Sequence, residues 1–278
     1  GRRGYAAPRN MQDGGGATMR AASLLAGLLI LLQPFAAGAV VPAPLAHGGE
    51  AKVVQVIDGD TVVLDDGREV RLVGTQAPKL PLGRPNFPTW PLADEAKAAL
   101  EALVLGQRVA LGYGGQRMDR HGRVLAHLFR LDDGTWVQGS MLVAGMARVY
   151  TFPDNRSMAA EMLAAEREAR AAKRGIWALD WYAVRDPDDL DDAEDTFQVV
   201  EGVVVEAATV RGRIYLNFGR DYRTDFTVVI DEDDLDAFED AGLAPETLAG
   251  RRIRVRGWID MYNGPMIAVT HPEQIEVL

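Results

Sequence analysis

The stretch AKVVQVIDGDTVVLDDGREVRLVG, residues 51–74, constrains the fold more than any other part of the chain. Three runs rich in β-branched and aliphatic residues, 51–57, 61–64 and 69–74, are separated by short polar breaks. Asp65-Asp66-Gly67 is a strong hairpin signal, because glycine accepts the positive φ that a tight turn demands. Runs this short and this close together cannot be helices, so they predict three antiparallel strands in succession. The chain has no cysteine. Disulfides, thiolate zinc sites and a cysteine nucleophile are therefore excluded.

The next segment, PKLPLGRPNFPTWP at 78–91, carries five prolines and predicts an irregular excursion of the kind used as a lid or binding loop. From Asp94 the pattern turns helical, with Ala96, Ala99, Leu100 and Leu103 on one face and Gly106 as the stop. Strands are predicted at 107–112 and 123–130, joined by a polar loop, and a long helix at about 157–174 ends at Gly175. Three strands, a helix and two more strands is the order of a five-stranded Greek-key barrel of the oligonucleotide-binding type. The second half repeats the theme, with predicted strands at 197–207, 213–218, 225–230, 252–260 and 265–269 and a helix at 233–241. The expected fold class is mainly β with helices, a five-stranded barrel followed by a second, smaller one.

Domain limits follow from composition. Residues 1–18 do not begin with Met and are rich in Gly and Arg, as upstream read-through would be. Residues 19–39 have one arginine, an apolar run of about 12 residues and the small-x-small sequence Ala37-Gly38-Ala39, the layout of a cleaved signal peptide. The run is too short to span a bilayer, which takes roughly 20 residues. An exported protein, periplasmic or secreted and without an integral span after cleavage, is expected. Residues 40–50 predict a flexible mature N-terminus, 51–184 the first domain, 185–196 an acidic linker and 197–278 the second barrel. The charge is unevenly shared. Residues 50–184 carry 17 acidic and 17 basic side chains, whereas 185–278 carry 22 acidic and nine basic, a balance of −13. The second half as a whole repels a polyanion, so nucleic-acid contact there requires local arginine clusters.

Four blocks, VIDGDTVVL, VRLVGTQAP, MDRHGRVLAHLF and AAKRGIW, occur in the order and spacing of the staphylococcal nuclease (thermonuclease) family, over about residues 51–178. The resemblance implies a calcium-dependent phosphodiesterase. In such an enzyme two aspartates and a backbone carbonyl hold the metal, two arginines hold the phosphate, and a glutamate activates water. On this chain Asp60 matches the first metal aspartate and Asp58 its neighbour, while Arg71 and Arg123 match the phosphate arginines. Gln76 stands where the second metal aspartate is expected, Ala77 where the carbonyl comes from, and Lys79 where the general base belongs.

Those departures weaken calcium binding, since calcium wants six to eight oxygens and its affinity follows ligand charge. Losing the base removes a role typically worth 10²–10⁴-fold in rate. The expected cofactor is therefore calcium bound weakly, and the expected partner a nucleic acid or nucleotide phosphate held by Arg71 and Arg123. On the same argument, Gln76→Asp with Lys79→Glu restores the hydrolytic half. Asp94 and Glu95 are the nearest substitute carboxylates, and His121 and His127 flank Arg123. Tyr150 and Phe152 suit base stacking or barrel packing. Arg252, Arg254 and Arg256 share one face of a strand, either to meet nucleic acid or as a solvated face paired with acids. Two functions stand open: a nucleic-acid-binding protein with weak or altered hydrolysis, and a non-catalytic envelope protein whose barrels, the acidic one included, contact other proteins.

Overall fold

The computed structural model describes residues 40–278; the expected read-through segment and signal peptide lie outside them. The first barrel is built from β1 (Ala46–Asp58), β2 (Thr61–Leu64), β3 (Glu69–Leu72), β5 (Arg108–Tyr113) and β6 (Val124–Arg130). They close in the order β1-β2-β3-β6-β5. Strands β1, β2 and β3 form the expected antiparallel series, and β3 meets β6 in parallel with Arg71 opposite Leu125. Gly67, at φ 85°, makes the hairpin turn. Two short strands, β4 (Thr75–Gln76) and β7 (Arg148–Val149), pair antiparallel beside the barrel. Helix α1 (Ala93–Val104) buries Ala96, Leu100 and Val104, and α3 (Ala159–Ala171) buries Met162 and Glu166. A helix the sequence reading left unassigned, α2 (Val137–Val143), caps the barrel with Met141 and Leu142.

The second barrel is a barrel-like sheet of seven strands, β8 (Phe197–Val203), β9 (Glu206–Val210), β10 (Arg213–Asn217), β11 (Thr227–Ile230), β12 (Arg252–Met261), β13 (Pro265–Ala268) and β14 (Ile275–Val277), with α4 (Leu235–Asp240) between β11 and β12. The expected strand 197–207 is interrupted, so that β8 pairs with β12 while β9 pairs with β10. Its core is centred on Val200, Phe226, Ile253 and Ile267. β11 and β13 run in parallel, as β3 and β6 do in the first barrel. Among the described residues, no helix is long and apolar enough to cross a membrane.

Two expectations about connecting segments need correction. Residues 40–50 do not form a loose tail. Val41 and Leu45 are buried against Ala110 and Phe129, and β1 begins at Ala46, opposite Tyr113. The acidic segment 185–196 is also packed. Leu190 and Ala193 belong to the second core, and Arg185 bridges in parallel to Val200 while pairing with Asp189 and Asp192. In both segments, isolated apolar residues outweigh a loop-like composition because each fills a gap in a neighbouring barrel.

The barrels are locked together by buried charge. Arg256 on β12 is 1% exposed and places Nη1 3.0 Å from both oxygens of Glu166 on α3. Its Nη2 lies 2.7 Å from Glu276 on β14. Arg170 joins the same two acids, and Glu166 accepts the Val149 N–H at 2.6 Å. Thr151 and His271 add a 2.7 Å hydrogen bond, and Arg156 pairs with Glu273.

Candidate active site

The site starts at the turn Asp58-Gly59-Asp60. A Cβ on Gly59 would lie 2.6 Å from Ala77 Cβ and 2.8 Å from Ala96 Cβ, so only glycine lets this turn press against both β4's exit and α1. That close approach aims the Asp60 carboxyl, fully buried, at the backbone of Ala77. The Ala77 N–H donates to Asp60 Oδ2 at 2.7 Å, and Lys79 Nζ lies 2.7 Å from the same oxygen. On the other side Thr61 Oγ1 donates to Oδ1 at 3.3 Å, and Arg71 Nη1 sits 3.2 Å away. An ionised carboxylate offers about four acceptor positions, and here four donors converge on it. Burial pushes the Asp60 carboxyl up, but Arg71 and then Lys79 pull it well below the ordinary carboxylate range. Asp58, which accepts the Asp60 N–H, is shifted the other way, first by burial and then by the charge of Asp60.

Lys79 reaches back from the start of the proline-rich segment, its side chain 20% exposed. Burial lowers its pKa and the Asp60 charge opposes that shift. Gln76 faces elsewhere. Its Oε1 accepts from Arg148 Nε at 2.9 Å and Nη2 at 2.7 Å. Arg148 is 4% exposed, and burial drops its pKa to about 10. Among the described residues no carboxylate hydrogen-bonds to it; its guanidinium lies 4.6 Å from the Phe197 ring centroid instead. Sequence reading did not single out Arg148, 72 residues from its partner, and no local pattern marks it.

The two arginines that match the family's phosphate ligands are both already bonded, and only Arg71 reaches the turn. Beyond Asp60, Arg71 donates to the carbonyls of Leu72 and Thr75. Arg123 pairs through Nε and Nη2 with Asp119 Oδ2, both at 2.8 Å, and is 30% exposed. Asp94 and Glu95 are exposed in the first turn of α1. The histidines do not form a base pair of groups: His121 is exposed, whereas His127 is buried against Trp136, with its pKa pushed down to about 4.

The donor set does not fit a calcium ion. Position 79 contributes an ammonium against Asp60, Gln76 Oε1 is held by Arg148, and Ala77 presents its N–H to the carboxylate. Among the described residues, no group of three or more acidic or histidine side chains is poised around a metal. The expected nucleic-acid face on β12 is corrected as well. Arg256 is enclosed by Glu166 and Glu276, and Arg254 is 14% exposed and paired with Glu201 and Glu276. Arg252 alone of the three is well exposed, at 56%, 3.7 Å from Glu201. Ile253 and Val255 are buried on the opposite face as expected, but at Arg256 the arginine face is covered by α3 of the first barrel. Tyr150 lies at the junction of the barrels, its OH accepting from Trp258 Nε1 at 3.0 Å.

Comparison with known proteins places this geometry in context. The family described as staphylococcal nuclease homologue matches residues 69–179. A thermonuclease of Staphylococcus hyicus is 29% identical over 162 residues, 56% of this chain and 94% of the relative. A thermonuclease of Staphylococcus intermedius is 33% identical over 133 residues, 46% of this chain and 77% of the relative. A protein of Escherichia coli described as an uncharacterized endonuclease is 32% identical over 135 residues, 48% of this chain and 77% of the relative.

Proposed function

The chain belongs to the staphylococcal nuclease family, and from that premise we propose that it is an exported, phosphodiester-directed protein whose barrel binds nucleic acid or nucleotide phosphate while hydrolysing it weakly. The observation that carries this reading is Lys79 Nζ at 2.7 Å from Asp60 Oδ2. The family is calcium-dependent in general, and a tethered ammonium beside the first metal aspartate offsets the charge that would attract a divalent cation. With no carboxylate at position 79, water activation has no general base there. Arg71 on β3 and Arg123 next to the start of the adjoining β6 supply the guanidinium groups, which bind phosphate oxygens without a metal.

Binding is tested by fluorescence anisotropy of a labelled single-stranded oligonucleotide across a salt series. Arg123→Ala removes a partly exposed cation and should weaken binding by about one to two decades, the range for losing a charge-assisted contact. The salt slope should flatten by somewhat under one unit. No binding by the wild type at low salt would defeat the phosphodiester reading.

A second reading is favoured by one observation: Arg71 and Arg123 are each engaged with internal acceptors, as structural arginines are. On that reading the protein is a non-catalytic envelope component that contacts other proteins. It predicts that Arg123→Ala changes stability slightly and leaves oligonucleotide anisotropy flat.

A further inference from the structure

Away from the Asp60 turn, a groove of about 400 Å³ lies where the two barrels meet. Its walls include Tyr150 and Phe152 from the first barrel and Phe197, Trp258 and Met266 from the second. Phe152 is 46% exposed and Trp258 47%. Apolar clefts between domains with a few polar groups are where ligands usually bind.

The rings are held rigidly. Tyr150 meets Phe152 and Phe197 edge-on at 4.8 and 4.9 Å, and the Trp258 N–H anchors to the Tyr150 hydroxyl. This cluster already holds one guanidinium, because Arg148 lies 4.6 Å from the Phe197 ring centroid.

The electrostatics select the ligand's sign. Asp260 stands exposed at the rim, with one carboxylate oxygen accepting the Met261 N–H. The arginine in the lining is Arg256, fully buried and neutralised by Glu166 and Glu276. The histidine, His271, is buried and hydrogen-bonded to Thr151 and Thr270. A phosphate would therefore meet aromatic faces and a carboxylate with no cation to receive it. A cation would meet negative ring faces and Asp260, on a half-chain whose balance is −13.

We propose that this groove captures an arginine or lysine side chain from a basic segment of a partner protein, seated against Trp258 and Phe152 and held by Asp260. This site includes none of Asp60, Arg71, Lys79 and Arg123, and stands whether or not the phosphodiester reading survives.

The test is anisotropy of a labelled arginine-rich peptide against the full protein, beside the same peptide with citrulline for arginine. Citrulline keeps the shape and removes the charge. The arginine peptide should bind saturably and the citrulline peptide at least tenfold more weakly. Trp258→Ala and Asp260→Asn should each weaken binding by roughly three- to thirtyfold. Asp233→Asn, an acid that does not line the groove, should leave it unchanged. Asp260→Asn preserves shape and keeps the test valid should Trp258→Ala misfold. Equal binding of the citrulline peptide would overturn the proposal, and so would equal losses from Asp233→Asn and Asp260→Asn. An oligonucleotide that displaces the peptide from wild type, with its own affinity lowered by Trp258→Ala, would overturn it too and assign the groove to nucleic acid.

Discussion

Restoring the family's carboxylates should fail unless Arg148 is removed as well. Gln76→Asp and Lys79→Glu together shift the site by three charge units toward metal binding and return a general base, yet the structure gives the new carboxylate at position 76 a different partner. Arg148 already sends Nε and Nη2 to the oxygen of that side chain, at 2.9 and 2.7 Å, and pairs with no carboxylate among the described residues. Two charge-assisted hydrogen bonds are worth roughly 1.5–3 kcal/mol each, so freeing the carboxylate for a metal would forfeit about 3–6 kcal/mol. That is about two to four decades in calcium affinity. The double variant should therefore cleave single-stranded DNA less than about tenfold faster than the parent. Adding Arg148→Met should release roughly 10²–10⁴-fold, the usual worth of a general base. The assay is release of a fluorescent fragment at fixed calcium, with circular dichroism to confirm folding of each variant. A double variant that gains the full activity without Arg148→Met would show that Arg148 does not hold position 76.

Three further outcomes follow from the same geometry. His271 is buried with a pKa pushed down to about 4, so protonation favours the unfolded chain; stability should be complete above about pH 6.5 and decline toward pH 4 by up to roughly 3 kcal/mol, and His271→Gln should flatten that part of the urea-midpoint curve. Arg256→Met leaves Glu166 and Glu276 with their remaining partners Arg170 and Arg254, so its destabilisation in urea should lie near the lower end of the 3–5 kcal/mol range for breaking a buried pair, and a loss under about 1 kcal/mol would mean the barrels are not locked there. Gly59→Ala must displace Ala77 or Ala96, and should lower the thermal midpoint by several degrees, as about 1–3 kcal/mol of overpacking does.

The barrels were legible because their information is local. Alternating apolar residues, the Asp65-Asp66-Gly67 turn and the glycine stops each act within a few positions, and the strands and major helices follow them. Helix α2 was missed because VQGSMLV is short and contains Gly139, whose helical cost is offset only by packing of Met141 and Leu142 on the barrel. β14 was missed for a similar reason: three residues carry no periodicity, and pairing with β12 decides the matter. At the site, the Asp60 turn and the odd residues Gln76 and Lys79 could be read directly. What they touch could not. Lys79 meets Asp60 across 19 positions, Arg148 meets Gln76 across 72, and Arg256 meets Glu166 across 90. The β12 arginines illustrate the limit. Strand alternation placed them on one face, but whether that face meets water or a second barrel is a property of tertiary packing.

The central claim, that Lys79 stands against Asp60 in place of a divalent cation, is tested most directly by cleavage of single-stranded DNA by the protein with calcium and with chelator. The account predicts slow cleavage at the same rate in both conditions. Rapid cleavage that requires calcium and disappears in Asp60→Ala would contradict it.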